Sequence, residues 1–163
     1  MISDNNMERV NLILRHPLFL AELGHVIEYE RDRIFCGHGL EHLLDVARIV
    51  YILCLEAGVS VEKEVLYATA LMHDIGRWKQ YEDGTPHEQE SARIAEEILP
   101  QCGFVNSEIG IIRDAILSHR SNSGEKPGLA GMLYRADKLS RLCFACEARE
   151  ECNWEKKNEG VAY

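Results

Sequence analysis

The chain is poor in the residues that break helices. Four prolines in 163 residues, set against long stretches of Leu, Ile, Ala, Glu and Arg, point to an all-α protein. It also lacks positive charge. The net charge is -9, which argues against duplex nucleic acid as a partner, because phosphate contacts need a basic surface. A small phosphorylated substrate is still allowed, since a local cation can override the global charge. Charges interrupt every apolar run before the roughly 18 residues that a membrane helix needs, so no membrane association is expected. The opening MISDNNMERV has no basic stretch followed by an apolar one, and so does not read as a secretory signal. Six cysteines without such a signal read as reduced thiols in a cytosol, not as a disulfide framework. A soluble, cytoplasmic protein is expected. Internal repeats, low-complexity segments and long Gly/Ser linkers are missing too.

What is present suits one helical bundle. Apolar residues make up 46% of the chain, enough for a real core at this length. A single domain over residues 1–163 is expected, with its motif-bearing core at 36–142 and N-terminal helices over 3–31 packed on it. A homodimer is one option, because the first thirty residues could form a dimer face or simply cover the bundle.

Apolar spacing predicts a helix over 3–15, and Pro17 suits the first turn of a second one running to about Arg31. A helix over 40–57 should stop at Gly58, and one opening near Ser60 should run to about His73 and break at Gly76. Residues 77–86 read as a polar loop, followed by a helix from His87 to Leu99. Ser107 can cap the next, to about His119, and a last helix is predicted over 129–150 after the turn-rich segment 120–128. The tail from Asn153 looks polar, although Trp154 could dock.

Five segments each bring one kind of polar group onto an apolar helical stripe. His42 shares its face with Val46, Ile49 and Leu53; His73 follows Thr69 and Leu66, with Asp74 beside it. His87 lies in line with Ser91, Ile94 and Ile98, and His119 continues Ile116, Ile112 and Ile109. Asp137 falls in line with Leu133 and Ser140, with Phe144 a turn further on. A single inward histidine is more often a hydrogen-bonded core residue than a ligand, and that account would suffice for His87 or His119 taken alone. Asp74 and Asp137 resist it. Burying two carboxylates without cations would cost several kcal/mol each, against a total stability of roughly 5–15 kcal/mol. Arg77, Arg120, Arg135 and Lys138 lie near in sequence, but a divalent cation serves all the groups at once.

The pattern resembles the HD-domain metal-dependent phosphohydrolase superfamily, in which a lone His, a His-Asp pair and a distant Asp sit on a helical bundle. The matching stretches are EHLLDVARI with His42, ALMHDIGRW with His73 and Asp74, and LYRADKLSR with Asp137. The resemblance implies that these four residues hold a divalent metal, and that the chain hydrolyses phosphate esters. Relatives with a binuclear centre add histidines where His87 and His119 stand, and Asp74 could then bridge two metals. The HD-GYP branch carries two consecutive histidines and a Gly-Tyr-Pro. This chain has His119-Arg120 and SNSGEKPG, so that branch's cyclic-dinucleotide specificity does not carry over, and one metal or two remain open.

Imidazole and carboxylate donors suit Mn, Fe, Co, Ni, Zn or Mg without choosing among them. A metal-acidified water is a sufficient nucleophile for a phosphoester. Asp74 is then the central catalytic candidate. Arg77 and Lys79, just past the pair, are candidates for binding phosphate oxygens, with Arg120 and Lys138 behind them; each could equally be a solvated charge. The expected substrate is a small phosphate ester, a nucleotide or related metabolite. A di-iron oxygenase, or a non-catalytic metal- or ligand-binding module, would use the same ligand set. His38, one turn before His42, could enter the site as an acid or stabilise its connector.

Cys143, Cys146 and Cys152 are a separate feature. C-x2-C is metal-like spacing, but a zinc site needs four ligands, and Cys36 or Cys102 could supply a fourth only by folding back. In a helix, Cys143 and Cys146 would share a face, which suits small core residues equally.

Overall fold

The computed structural model describes residues 7–120 and 127–163. Helices dominate, and among the described residues there is no strand. They are α1 (Glu8–Arg15), α2 (Pro17–Tyr29), α3 (Leu40–Ala57), α4 (Lys63–Met72), α5 (Arg77–Asp83), α6 (His87–Ile98), α7 (Asn106–Ser118) and α8 (Leu129–Leu139), with short 3-10 turns at Leu99–Cys102 and Cys143–Ala145. No helix among them is long and apolar enough to cross a membrane.

α4 is the axle of the bundle. Val65, Leu66, Ala68, Thr69, Ala70, Leu71 and Met72 are all buried, so this helix has no solvent face to keep polar. Its one buried hydroxyl is satisfied internally, Thr69 donating to the Val65 carbonyl at 2.7 Å. Val65, Ala68, Leu71 and Met72 face a core shared with α1, α2, α6 and α7. Leu66 and Ala70 face a second core built by α3 and α8. α3 begins after Gly39 and ends where Gly58 adopts φ +64°, a left-handed stop that costs glycine little.

α1 is tied to the bundle by charge as well as by Val10 and Ile13. The Arg9 guanidinium donates to Glu64, Glu108 and Glu62 at 2.6–2.9 Å and stacks 4.3 Å from the Phe104 ring centre. The start of α4, α7 and the connector before α7 are thereby fixed to α1 through one side chain.

Several boundaries differ from the sequence expectation. The first helix starts at Glu8, and residues 1–6 lie outside the described ones, as do 121–126 of the turn-rich segment. Residues 77–83 form a helix, not a polar loop. Lys79 pairs with Glu82 and Asp83, and Arg77 donates to Tyr81 four residues on; such pairs stabilise a helix that has no buried residue of its own. Ser107 does not cap α7. The Glu108 carboxylate does, accepting the Val105 N–H at 2.9 Å.

The last helix stops at Leu139, not near residue 150. Ser140 turns its hydroxyl onto the Asp137 carbonyl at 2.8 Å. The Asn158 side-chain amide donates to the carbonyls of Lys138 at 2.9 Å and Arg141 at 2.7 Å. Carbonyls engaged from outside have little left for a further helical turn. Phe144, Cys143 and Cys146 therefore do not extend the Asp137 stripe; they lie in an irregular segment folded back against the bundle.

Candidate metal centre

Every proposed ligand stands at or next to a helix end, and those ends converge. His42 is in the first turn of α3, His73 and Asp74 follow the last residue of α4, and Asp137 is in the last turn of α8. His87 opens α6 and His119 closes α7. His73, Asp74, His87, His119 and Asp137 are buried. Gly76 lets α6 come this close. A Cβ there would sit 2.5 Å from the Ser91 nitrogen and 2.8 Å from the Glu90 carbonyl carbon, and the Gly76 N–H donates to Ser91 Oγ at 2.9 Å.

The donor atoms form two groups sharing Asp74. Around Oδ2 stand His73 Nε2 at 3.2 Å and His42 Nε2 at 3.6 Å, with Asp137 Oδ1 3.5 Å from His42 Nε2. Around Oδ1 stand His87 Nε2 at 3.1 Å and His119 Nε2 at 4.0 Å. Within each group all donor atoms lie within 4.8 Å of one another.

The far side of each ring sets its tautomer. His73 Nδ1 donates to the Ala70 carbonyl at 2.6 Å, His119 Nδ1 to the Ile116 carbonyl at 2.5 Å, and His87 Nδ1 to Gln80 Oε1 at 2.7 Å. His42 Nδ1 reaches Ser140 Oγ at 3.4 Å, whose own proton goes to Asp137. With Nδ1 as donor, a neutral ring presents its Nε2 lone pair to the carboxylates. Acceptors then face acceptors. The buried His42 Nε2 and His73 Nε2 have no hydrogen-bond partner, the expense that buried polar atoms normally avoid. A divalent ion relieves it, and hard oxygen and imidazole donors without thiolate suit one. The residues present fit the group.

The electrostatics agree. Burial disfavours a charged Asp74, but His73, His42 and His87 more than offset it and hold the carboxyl well below the usual range. Asp137 is held at about 2: burial and Asp74 oppose its charge, while Lys138, His73 and His42 favour it. Burial, reinforced by His73, pushes His119 down to about 4, so it is a neutral donor at neutral pH. Burial opposes a proton on His73, but Asp74 and Asp137 raise its pKa overall. A proton and a metal ion thus compete for one carboxylate-facing nitrogen.

A cavity of about 380 Å³ opens above the centre, within the usual range for small-molecule sites. Arg33, Arg77, Arg120, Lys138 and Arg141 line it, with Phe35, Tyr134 and Trp154. Arg77 donates to Asp74 Oδ1 at 3.3 Å and to the Tyr81 hydroxyl at 3.0 Å. That hydroxyl donates to Glu30 Oε1 at 2.7 Å, and Glu30 in turn accepts from the His38 ring at 2.5 Å and from the His38 backbone N–H at 2.7 Å. His38 is buried, with Nε2 3.9 Å from Asp74 Oδ2.

The structure brings together His42, His73, Asp74, Asp137, His87 and His119, and places Arg77 at the cavity wall. Lys79 it places elsewhere. That side chain is bound to Glu82 and Asp83 at 2.7 and 2.9 Å and does not line the cavity, because residue 79 turns outward on a helix that was expected to be a loop. Glu30, Gln80, Tyr81, Arg33 and Arg141 escaped the sequence reading. A helical reading of 77–83 would have found Tyr81 four residues from Arg77; Glu30 carries no local signal.

Comparison with known proteins agrees with the geometry. A model of the HD domain matches residues 39–142. An uncharacterized protein of Clostridium beijerinckii is 46% identical over 159 residues, 96% of this chain and 100% of the relative. The crystal structure of a predicted HD superfamily hydrolase from an uncultured Thermotogales bacterium superposes with a TM-score of 0.56 at 27% identity, over 74% of this chain and 66% of that one.

Proposed function

The chain belongs to the HD-domain family, and on that premise we propose that it is a metal-dependent phosphohydrolase acting on a small phosphate ester, a nucleotide or related metabolite. The observation that carries this reading is the charge of the cavity. A protein of net charge -9 lines one small cleft with five cationic side chains, directly above a His/Asp cluster that could hold a metal. Asp74 and Asp137 are the carboxylates in the same lining, so its cations outnumber them five to two, a balance that concentrates anionic ligands.

His42, His73, Asp74 and Asp137 would hold one ion, and Asp74, His87 and His119 a second. A divalent ion bound there supplies Lewis acidity, which acidifies a water and neutralises phosphoryl charge. The chain's own groups do the rest. Arg77, held by Asp74 and Tyr81, aims its guanidinium into the cleft to orient phosphate oxygens. Arg141 and Lys138 line the same cleft and both lie over the Trp154 ring, at 4.5 and 5.1 Å from its centre, a cation–π contact that holds their charges at the cavity. His38, carried by Glu30, is positioned to hold or pass on a proton near Asp74 Oδ2.

The test is metal analysis of protein purified without chelator, followed by a phosphoester panel with Mn, Fe, Co, Ni, Zn or Mg. Asp74→Ala should lose metal and activity with helical circular dichroism unchanged. Arg77→Gln should keep its metal and lose about 10–100-fold in kcat/KM, the value of a charged hydrogen bond worth roughly 1.5–3 kcal/mol. Oxygen uptake by an iron-loaded protein that turns over no phosphoester would overturn the reading.

A further inference from the structure

Four of the six cysteines meet. Cys36, on the connector between α2 and α3, lines a small void together with Cys143, Cys146 and Cys152 from the segment after α8. The other two, Cys54 and Cys102, are buried core residues of separate clusters. All six are free thiols. The void is bordered by Arg149 and Lys157 and by no carboxylate, so sulfur is the one kind of metal ligand its side chains offer.

The backbone around them is made of consecutive tight turns. Cys146 N–H donates to the Cys143 carbonyl at 3.4 Å, Arg149 N–H to the Cys146 carbonyl at 3.2 Å, and Cys152 N–H to the Ala148 carbonyl at 3.1 Å. Apart from one 3-10 turn, residues 140–163 have no regular structure, although they wall the main cavity through Arg141, Cys152 and Trp154. Irregular segments longer than about 12–15 residues are uncommon in compact domains unless they serve a function. A cross-link to Cys36 would hold this one in place, and no disulfide supplies it.

We infer that Cys36, Cys143, Cys146 and Cys152 form a four-thiolate site for an iron–sulfur cluster, distinct from the His/Asp centre. Spacing favours a cluster over a single zinc ion. Zinc with bonds of about 2.3 Å draws four sulfurs to roughly 3.8 Å from one another, whereas among the described residues no three of these cysteines have their sulfurs within 4.8 Å of each other. A cluster spreads its four thiolates over a larger frame. The inference does not depend on the phosphohydrolase reading.

The experiment uses the full chain, produced with iron in supply and purified without oxygen, and assays acid-labile sulfide, which iron at a His/Asp centre does not contain. The expected protein is brown and holds about four sulfides per chain, as a cubane cluster would. Asp74→Ala, Cys54→Ser and Cys102→Ser should keep colour and sulfide, and Cys146→Ser should lose both. Wild-type sulfide content decides even if Cys146→Ser fails to fold: a protein without sulfide after anaerobic reconstitution with ferrous iron and sulfide overturns the cluster. Zinc retained by Asp74→Ala and lost from Cys146→Ser would likewise overturn it. Metal and sulfide contents that Cys146→Ser leaves unchanged would overturn the four-thiolate site itself.

Discussion

Asp74 presents each carboxylate oxygen to a different pair of imidazoles, so one residue joins two donor groups. Its neighbours are fixed from behind, by the carbonyls of Ala70 and Ile116 and by Gln80 and Ser140, and such outer partners orient ligands as surely as packing does. His87→Ala should therefore remove one metal equivalent and spare the other, read by titration against an ion with a spectroscopic signal. Loss of both ions together would show that the groups do not load separately. Gly76 acts at the same scale. Its φ of -90° suits any residue, so what forbids a side chain is the approach of α6. Gly76→Ala should cost about 1–3 kcal/mol, the usual range for overpacking, and weaken the His87/His119 group more than the His42/His73 group. Urea unfolding together with metal titration checks both parts.

Between elements, the Arg9 network carries α1. Burial opposes the Glu108 charge, but the Val105 N–H and Arg9 prevail, so its pKa lies below the ordinary 4.5. A depressed carboxylate contributes stability that is present above the unfolded value and lost as pH falls through the folded one. Glu108→Gln should cost about 1–2 kcal/mol at neutral pH. The gap from wild type should close as pH drops below 4.5; a gap independent of pH would assign the loss to packing. Elements also differed in how legible they were. α3, α4 and α6 bury continuous apolar stripes, which periodicity reads directly. α5 buries none of its residues and depends on side-chain pairs three and four apart, so a polar composition concealed it. The end of α8 is set by Asn158, nineteen positions beyond Leu139, and no local signal announces that.

Across the whole molecule, the acidic surface and the cationic cleft oppose each other. Added inert salt should lower kcat/KM for an anionic ester and leave a neutral analogue unaffected, because screening reaches about 10 Å at 0.1 M. Equal responses would remove the cleft's charge from the argument. The sequence by itself determined the helical class and the order of His42, His73, Asp74 and Asp137, because helical spacing places each of them on an inward stripe. It also carried His87 and His119 as conditional members. Only the tertiary structure decided that the two sets share Asp74, that Glu30 and Tyr81 support His38 and Arg77, that Lys79 stands apart, and that Cys36 meets the distant cysteines. Each of those depends on where separate helix ends and connectors cross in space, which periodicity along one element does not encode.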